Sequence, residues 1–147
     1  MRQLLMVFVK FPEPGKVKTR LAKVLGNEEA AAVYRKLVAR VAEQVLAPDV
    51  NDEAWEIWVV FDPSEREAEV RTWLEPLFGT AATRYLPQIS GDLGERLAGA
   101  FAVGFGAGFE NVAAIGTDCV DLDRQGIAEC WRLLGDGSDV VFGPADD

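Results

Sequence analysis

Histidine is absent from this 147-residue chain, and that absence removes much ordinary enzyme chemistry. Without imidazole there is no Ser-His-Asp or Cys-His nucleophile, and a zinc site loses its commonest nitrogen ligand. Cysteine is nearly absent too, with Cys119 and Cys130 the two present. Two thiols are too few for a disulfide framework, and with no export signal they read as reduced cytosolic cysteines. No apolar run approaches the roughly 18 residues of a membrane span, and the N-terminus lacks a signal-peptide layout. Positive charge is scarce: 15 Lys and Arg stand against 24 Asp and Glu, for a net charge of −9. Such a chain is not built for diffuse binding to nucleic acid or to an anionic membrane. The expectation is a cytoplasmic protein whose chemistry comes from carboxylates, amines, guanidinium groups, hydroxyls or a metal held by oxygen.

The positive charge that exists is gathered in one place. Lys10, Lys16, Lys18, Arg20 and Lys23 fall within fourteen positions in which Glu13 is the one acid. The other ten basic residues are spread among twenty-three acidic ones. The island follows an unbroken apolar run, Leu4 to Val9, of the kind expected of a parallel strand covered on both faces. Pro12, Pro14 and Gly15 then force a loop. The prolines stiffen it, so ordering it on a ligand costs less entropy, and the glycine permits positive φ or a close approach. Cations on a stiff loop suit polyanionic phosphate, Arg20 through a bidentate fork and Lys16 and Lys18 as point charges. Thr19 is placed to cap a helix or donate to an oxygen. On charge alone a solvated basic loop reads equally well, and the P-loop pattern G-x-x-x-x-G-K-[ST] is absent.

Beyond the island, helical and extended patterns alternate. A short helix starts near Thr19. Asn27 reads as the N-cap of a longer one, with Glu28 and Glu29 in its first turn and an inward stripe of Val33, Leu37, Val38, Val41 and Val45. Pro48 stops it. Ala54 to Phe61 is a second strand, and Ser64 to Glu67 has the form of a capping box. The helix it opens carries Val70, Leu74, Leu77 and Phe78, with Pro76 disturbing its last turn. A third strand covers Thr83 to Leu86, followed by a second capping box, Asp92 to Glu95, and a helix face of Leu93, Leu97, Ala100 and Phe101. Gly104, Gly106 and Gly108 end that helix and turn the chain into a fourth strand, Asn111 to Gly116. Asp123 caps a helix facing inward through Ile127, Cys130, Trp131 and Leu134, and Asp139 to Phe142 is a fifth strand. The alternation predicts an α/β fold over one domain, residues 1–147: a Rossmann-like three-layer sandwich with a mainly parallel sheet.

In such a sheet, ligands sit beyond the carboxyl ends of the strands, where the strand order reverses. With the order 3-2-1-4, the basic loop after strand one faces the turn Gly116-Thr117-Asp118-Cys119-Val120-Asp121 after strand four. Asp118 and Asp121 offer the hard oxygens that Mg²⁺ or Mn²⁺ takes beside phosphate oxygens. Asp121 and Asp123 serve equally as helix caps, Asp123 above all. After strand three, Gln88 is placed to read a base edge and Arg96 to reach a phosphate. Gly91 lies beside them, and Asp92 reads as an N-cap. Asp146 and Asp147 form another acidic pair, or simply a frayed end. Cys119 has no base near it in sequence to make it a nucleophile, and Cys130 reads as core.

Four blocks, VKFPEPGKVKTRL, QISGDLGERLAGAF, IGTDCVDL and DVVFGPADD, follow one another in the chain. They occur in the order found in bacterial proteins with a glycosyltransferase A-type fold. The chain resembles the radical-SAM/selenodomain-associated transferases, relatives of the 2-phospholactate guanylyltransferases and molybdenum-cofactor nucleotidyltransferases. The resemblance implies a nucleotide-diphospho-sugar transferase fold. It also implies a metal-dependent nucleotidyltransferase or nucleotide-sugar glycosyltransferase, using a nucleoside triphosphate or a nucleotide-sugar and an acceptor still to be identified. Residue by residue, it implies that Pro14, Gly15, Lys18 and Arg20 line the phosphates, beside the Lys16 already read from charge, and that Gln88, Gly91, Asp92 and Arg96 flank the nucleotide. Asp118 becomes the principal Mg²⁺- or Mn²⁺-bearing residue, assisted by Asp121, with Asp147 as the aspartate of the last motif. Lys18, Arg20 and Asp118 are the expected catalytic residues. Val120 stands where the family usually has proline. The sequence stops at Asp147, before the family's acceptor-binding half, so the expected fold is truncated at the C-terminus. The alternative is a non-catalytic or partner-completed nucleotide-binding module, and an open sheet edge would favour a homo-oligomer.

Overall fold

A computed structural model describes residues 2–46, 54–118 and 122–137. Four strands, β1 (Gln3–Lys10), β2 (Glu56–Asp62), β3 (Ala82–Pro87) and β4 (Asn111–Ile115), pair in parallel in the order β3-β2-β1-β4. Five helices connect and flank them: α1 (Thr19–Leu25), α2 (Asn27–Leu46), α3 (Glu67–Phe78), α4 (Leu93–Gly106) and α5 (Arg124–Gly135). The three-layer arrangement follows from the two-residue period of a strand. Leu5, Val7 and Val9 of β1, with Ile57, Val59 and Phe61 of β2, share one core with α2, α3 and α5. The alternate residues Leu4 and Met6, with Trp58, Val60 and Val112, share the other with Ala100 of α4 and Phe109. Strands buried on both faces have no polar side to show, which is why β1 and β2 are unbroken apolar runs in the sequence.

Register sets the site. Val9 and Lys10 of β1 lie level with Phe61 and Asp62 of β2, while β4 ends with Ile115 beside Val7. The residues after Ile115 therefore run beside the last residues of β1, at the position where the strand order reverses. The chain leaves β1 toward β2 on one side and reaches β4 on the other, so both loops open at the same edge.

Several local expectations are corrected. Asn27 is the first residue of α2 and not its cap, because the Gly26 carbonyl accepts the first helical bond from the Ala30 amide at 3.1 Å. The buried face of α2 runs through Ala30, Ala31, Tyr34, Val38, Val41, Ala42 and Val45, leaving Val33 and Leu37 half-buried on its flank. Ser64 makes no capping bond. Ser64–Arg66 is a 3₁₀ turn closed by the Arg66 amide on the Pro63 carbonyl, so α3 starts only at Glu67, too late for that residue to act as the third of a box. Pro76 falls within α3, which nonetheless runs on to Phe78. Leu93 is exposed at the start of α4, and Cys130 is half-buried. The other capping box is formed in full, Asp92 accepting from the Glu95 amide while the Glu95 side chain accepts from the Asp92 amide. Asp123 caps α5 through the Gly126 amide. Pro48 and the expected fifth strand, Asp139 to Phe142, lie outside the described residues.

Candidate functional site

The basic loop is anchored at both ends and projects between them. The Phe11 amide donates to the Asp62 carbonyl at 2.8 Å, and Pro12 is buried. Val17, after the turn, is itself part of the core at 3% exposure. Pro14, Gly15 and Lys16 stand out into solvent between these anchors. The turn is closed by the Lys16 amide on the Glu13 carbonyl, and Gly15 takes a φ of +88° that a side chain would strain. Lys18 then adopts φ 49° and ψ 48° at the start of α1, the one non-glycine with positive φ among the described residues. That conformation costs a lysine about 1–2 kcal/mol and persists only where the surroundings hold it.

Its side chain reaches a residue a hundred positions along the chain: the Lys18 ammonium donates to Asp118 Oδ1. The two loops expected to face each other are thus joined. Asp118 is well exposed and Lys18 more shielded. Lys16 and Arg20 are exposed and have no ion pair among the described residues. Beneath the pair sits Tyr34 of α2, a residue that reading the sequence missed. Its hydroxyl accepts from the Lys10 amide at 2.8 Å, with the Thr117 side chain near it, so it sits between the end of β1 and the turn after β4. Burial raises the Tyr34 pKa above its ordinary value; the Lys10 amide and the Thr117 side chain oppose that rise and the charge of Asp118 adds to it. The signal was present in the α2 periodicity, because an inward-facing tyrosine needs a polar partner for its tip.

The residues after β3 form a brace across the same sheet edge. Gln88 Nε2 donates to the carbonyls of Val9 and Val60, each at 3.2 Å, and Gln88 Oε1 accepts from Arg96 Nη1 at 3.0 Å. Arg96 also donates to the Gly91 carbonyl at 3.0 Å and lies 3.5 Å from Asp62. Gly91 has φ +128°, and a Cβ there would come within 2.9 Å of the Glu95 side chain. In this arrangement the Gln88 amide ties strand ends together, where the sequence suggested a base-reading group. Asp92 is committed to its cap.

The described residues include no group of three or more His, Cys, Asp or Glu converging on a metal. They fit a divalent cation in one mode: Asp118 as a single exposed carboxylate, with ligand phosphates and water completing the shell, as Mg²⁺ commonly binds. Asp121, Asp147 and Cys119 lie outside the described residues. Surface hollows elsewhere do not mark the site. One of about 430 Å³ opens between Arg71, Glu75 and Tyr85 at the outer edge of the sheet, and lacks a comparable convergence of loops.

Comparison with known proteins adds family and fold. A family model described as "Uncharacterized protein conserved in bacteria (DUF2064)" matches residues 45–147. The chain belongs to this family. The matched region holds the Gln88–Arg96 brace and Asp118, while the basic loop precedes it. No protein of curated function matches the sequence. Among solved structures, the chain is similar to one described as a "putative nucleotide-diphospho-sugar transferase" from Desulfovibrio desulfuricans G20. The two are 29% identical with a TM-score of 0.74 over 92% of this chain. The match spans 55% of that protein's length. The fold is therefore the α/β fold of a nucleotide-diphospho-sugar transferase, with an all-parallel sheet of four strands among the described residues.

Proposed function

We propose that this protein is a nucleotide-dependent transferase that holds the diphosphate of a nucleotide-sugar in the crevice between β1 and β4. The observation that carries the reading is the Lys18–Asp118 contact, which brings a cationic loop and a cation-accepting carboxylate together at the reversal of strand order. The similarity to a structure described as a nucleotide-diphospho-sugar transferase supports the reaction class. In this reading Lys16, Lys18 and Arg20 neutralise phosphate oxygens, Arg20 through its fork. Tyr34 and Gln88 fix the strand ends from which the two loops spring. Asp118 would hold Mg²⁺ or Mn²⁺, which supplies charge stabilisation to a departing phosphate. An acceptor oxygen attacks the sugar carbon, the bond from that carbon to the diphosphate breaks, and the nucleoside diphosphate leaves with the electron pair. Catalysis is thus mainly electrostatic, through groups placed before charge develops.

Thermal shift tests the binding step and product analysis the chemistry. Nucleotide-sugars with UDP, GDP and CDP head groups, and the matching triphosphates, are added with and without Mg²⁺. At a ligand concentration about 100-fold above its dissociation constant, stabilisation should reach about 2.7 kcal/mol, and Lys18→Ala and Asp118→Ala should abolish most of it. If no nucleotide raises the melting temperature of the wild type, the proposal fails. Release of pyrophosphate from a triphosphate would move the assignment to nucleotidyl transfer. Binding without release of either product would make the protein a nucleotide-binding module.

A further inference from the structure

Lys18 and Asp118 are each given a ligand above, an anion for the amine and a cation for the carboxylate, and yet they are bonded to one another. Neither side chain is fully available while the pair is closed. We propose that the Lys18–Asp118 pair is an ionic latch that makes anion and cation binding cooperative. This rests on the reading of the crevice as a phosphate site. An anion arriving alone competes with Asp118 for the Lys18 ammonium, and a cation arriving alone competes with Lys18 for the Asp118 carboxylate. When both are bound the pair is opened once instead of twice. The coupling between the ligands then includes the strength of the pair itself, and linkage requires that each ligand feel it equally.

Three observations separate the latch from a chance surface contact. Both backbones start from the core: Lys18 lies between the buried Val17 and the start of α1, and Asp118 follows the end of β4, which is paired with β1. The pair therefore loses less freedom on closing than most exposed pairs do. Lys18 also keeps a left-handed backbone that lysine does not favour, in the place that meets Asp118. Lys16 and Arg20, with no ion pair among the described residues, remain as the first attraction for an anion. The loop draws phosphate with two cations and commits the third when the carboxylate is given another partner.

The latch makes an unusual prediction: removing a carboxylate from the site should tighten anion binding when no metal is present. Wild type, Asp118→Asn, Lys18→Asn and the double variant are titrated with pyrophosphate in EDTA buffer by calorimetry. Asparagine tolerates the left-handed backbone at position 18, so the fold should survive. Asp118→Asn is expected to bind pyrophosphate roughly two- to five-fold more tightly, the range set by an exposed ion pair, and the gain should vanish in the Lys18→Asn background. Equal tightening in both backgrounds would mean simple repulsion of the anion by Asp118 and would overturn the latch. So would no tightening, or no pyrophosphate binding by any of the four proteins. Ligand-free melts of the same proteins read the pair directly. Effects on stability that are non-additive and fade at high salt support it, and additive effects overturn it. Failure of the nucleotide reading shows separately. Were no nucleotide to bind with Mg²⁺ while the pyrophosphate pattern appeared, the latch would stand on a general phosphate site. Were nucleotide to bind with additive melts, the latch alone would fall.

Discussion

Tyr34 is the residue on which the two sides of the crevice meet, and its hydroxyl is the atom that matters. Tyr34→Phe keeps the ring in the core but strips the acceptor from the Lys10 amide. A buried polar group left without a partner costs about 1–3 kcal/mol, so urea unfolding should show a loss of that order. A loss below a few tenths would mean that the hydroxyl ties nothing together. The same residue sets an alkaline limit. Burial, above all, raises its pKa above the ordinary tyrosine value of 10.0. The unfolded chain then gives up the tyrosine proton at lower pH than the folded one, and stability falls as pH rises from about 10 through the folded value. Tyr85 is shifted in the same direction, also chiefly by burial. Tyr34→Phe should therefore reduce the alkaline slope of stability without removing it.

At the scale of elements, α4 shows how one residue type can serve opposite ends. Gly104 faces the sheet, where a Cβ would lie 3.1 Å from Leu4 and 3.3 Å from Val112; Gly106, at the end of the helix, has nothing within 4 Å. Gly104→Val should overpack that contact and cost about 1–3 kcal/mol. Gly106→Ala should add up to about 1 kcal/mol by restricting the unfolded chain. Thermal melts that move in the same direction for both would contradict this packing. The sequence revealed α4 well because its start is written in local chemistry, Asp92 and Glu95 completing a box within one turn. It misled at Ser64, where the same pattern precedes a 3₁₀ turn and α3 begins at Glu67. A capping motif names a helix start only when the backbone reaches helical geometry at its second residue, and spacing alone does not report that. The stripe on α2 is displaced from Val33 and Leu37 because Ala30, Ala31, Ala42 and Tyr34, which leave a weak apolar signal, face the core.

Across the whole molecule, the strand order and both loops of the crevice were legible, because doubly buried strands leave long apolar runs and the loops leave charge. The contacts that finish the site were not, since Tyr34 and Gln88 reach it from α2 and from beyond β3 through tertiary packing. The same architecture predicts an uneven distribution of stability. β1 is paired on both sides, and Leu4 to Val7 are fully buried. α1 contributes no buried residue, spans one short stretch and exposes Val24 and Leu25, although it directly follows Lys18 and contains Arg20. Local opening is easiest where few apolar contacts must break. Hydrogen exchange should therefore release the α1 amides early, while those of β1 exchange only through global unfolding. A phosphate ligand engaging Lys18 and Arg20 stabilises the closed form of α1 first. Pyrophosphate should accordingly slow α1 exchange by a larger factor than it slows β1. Strong protection of α1 in the free protein, or equal slowing of both elements, would mean that the loop is as rigid as the sheet and that the ligand is not ordering it.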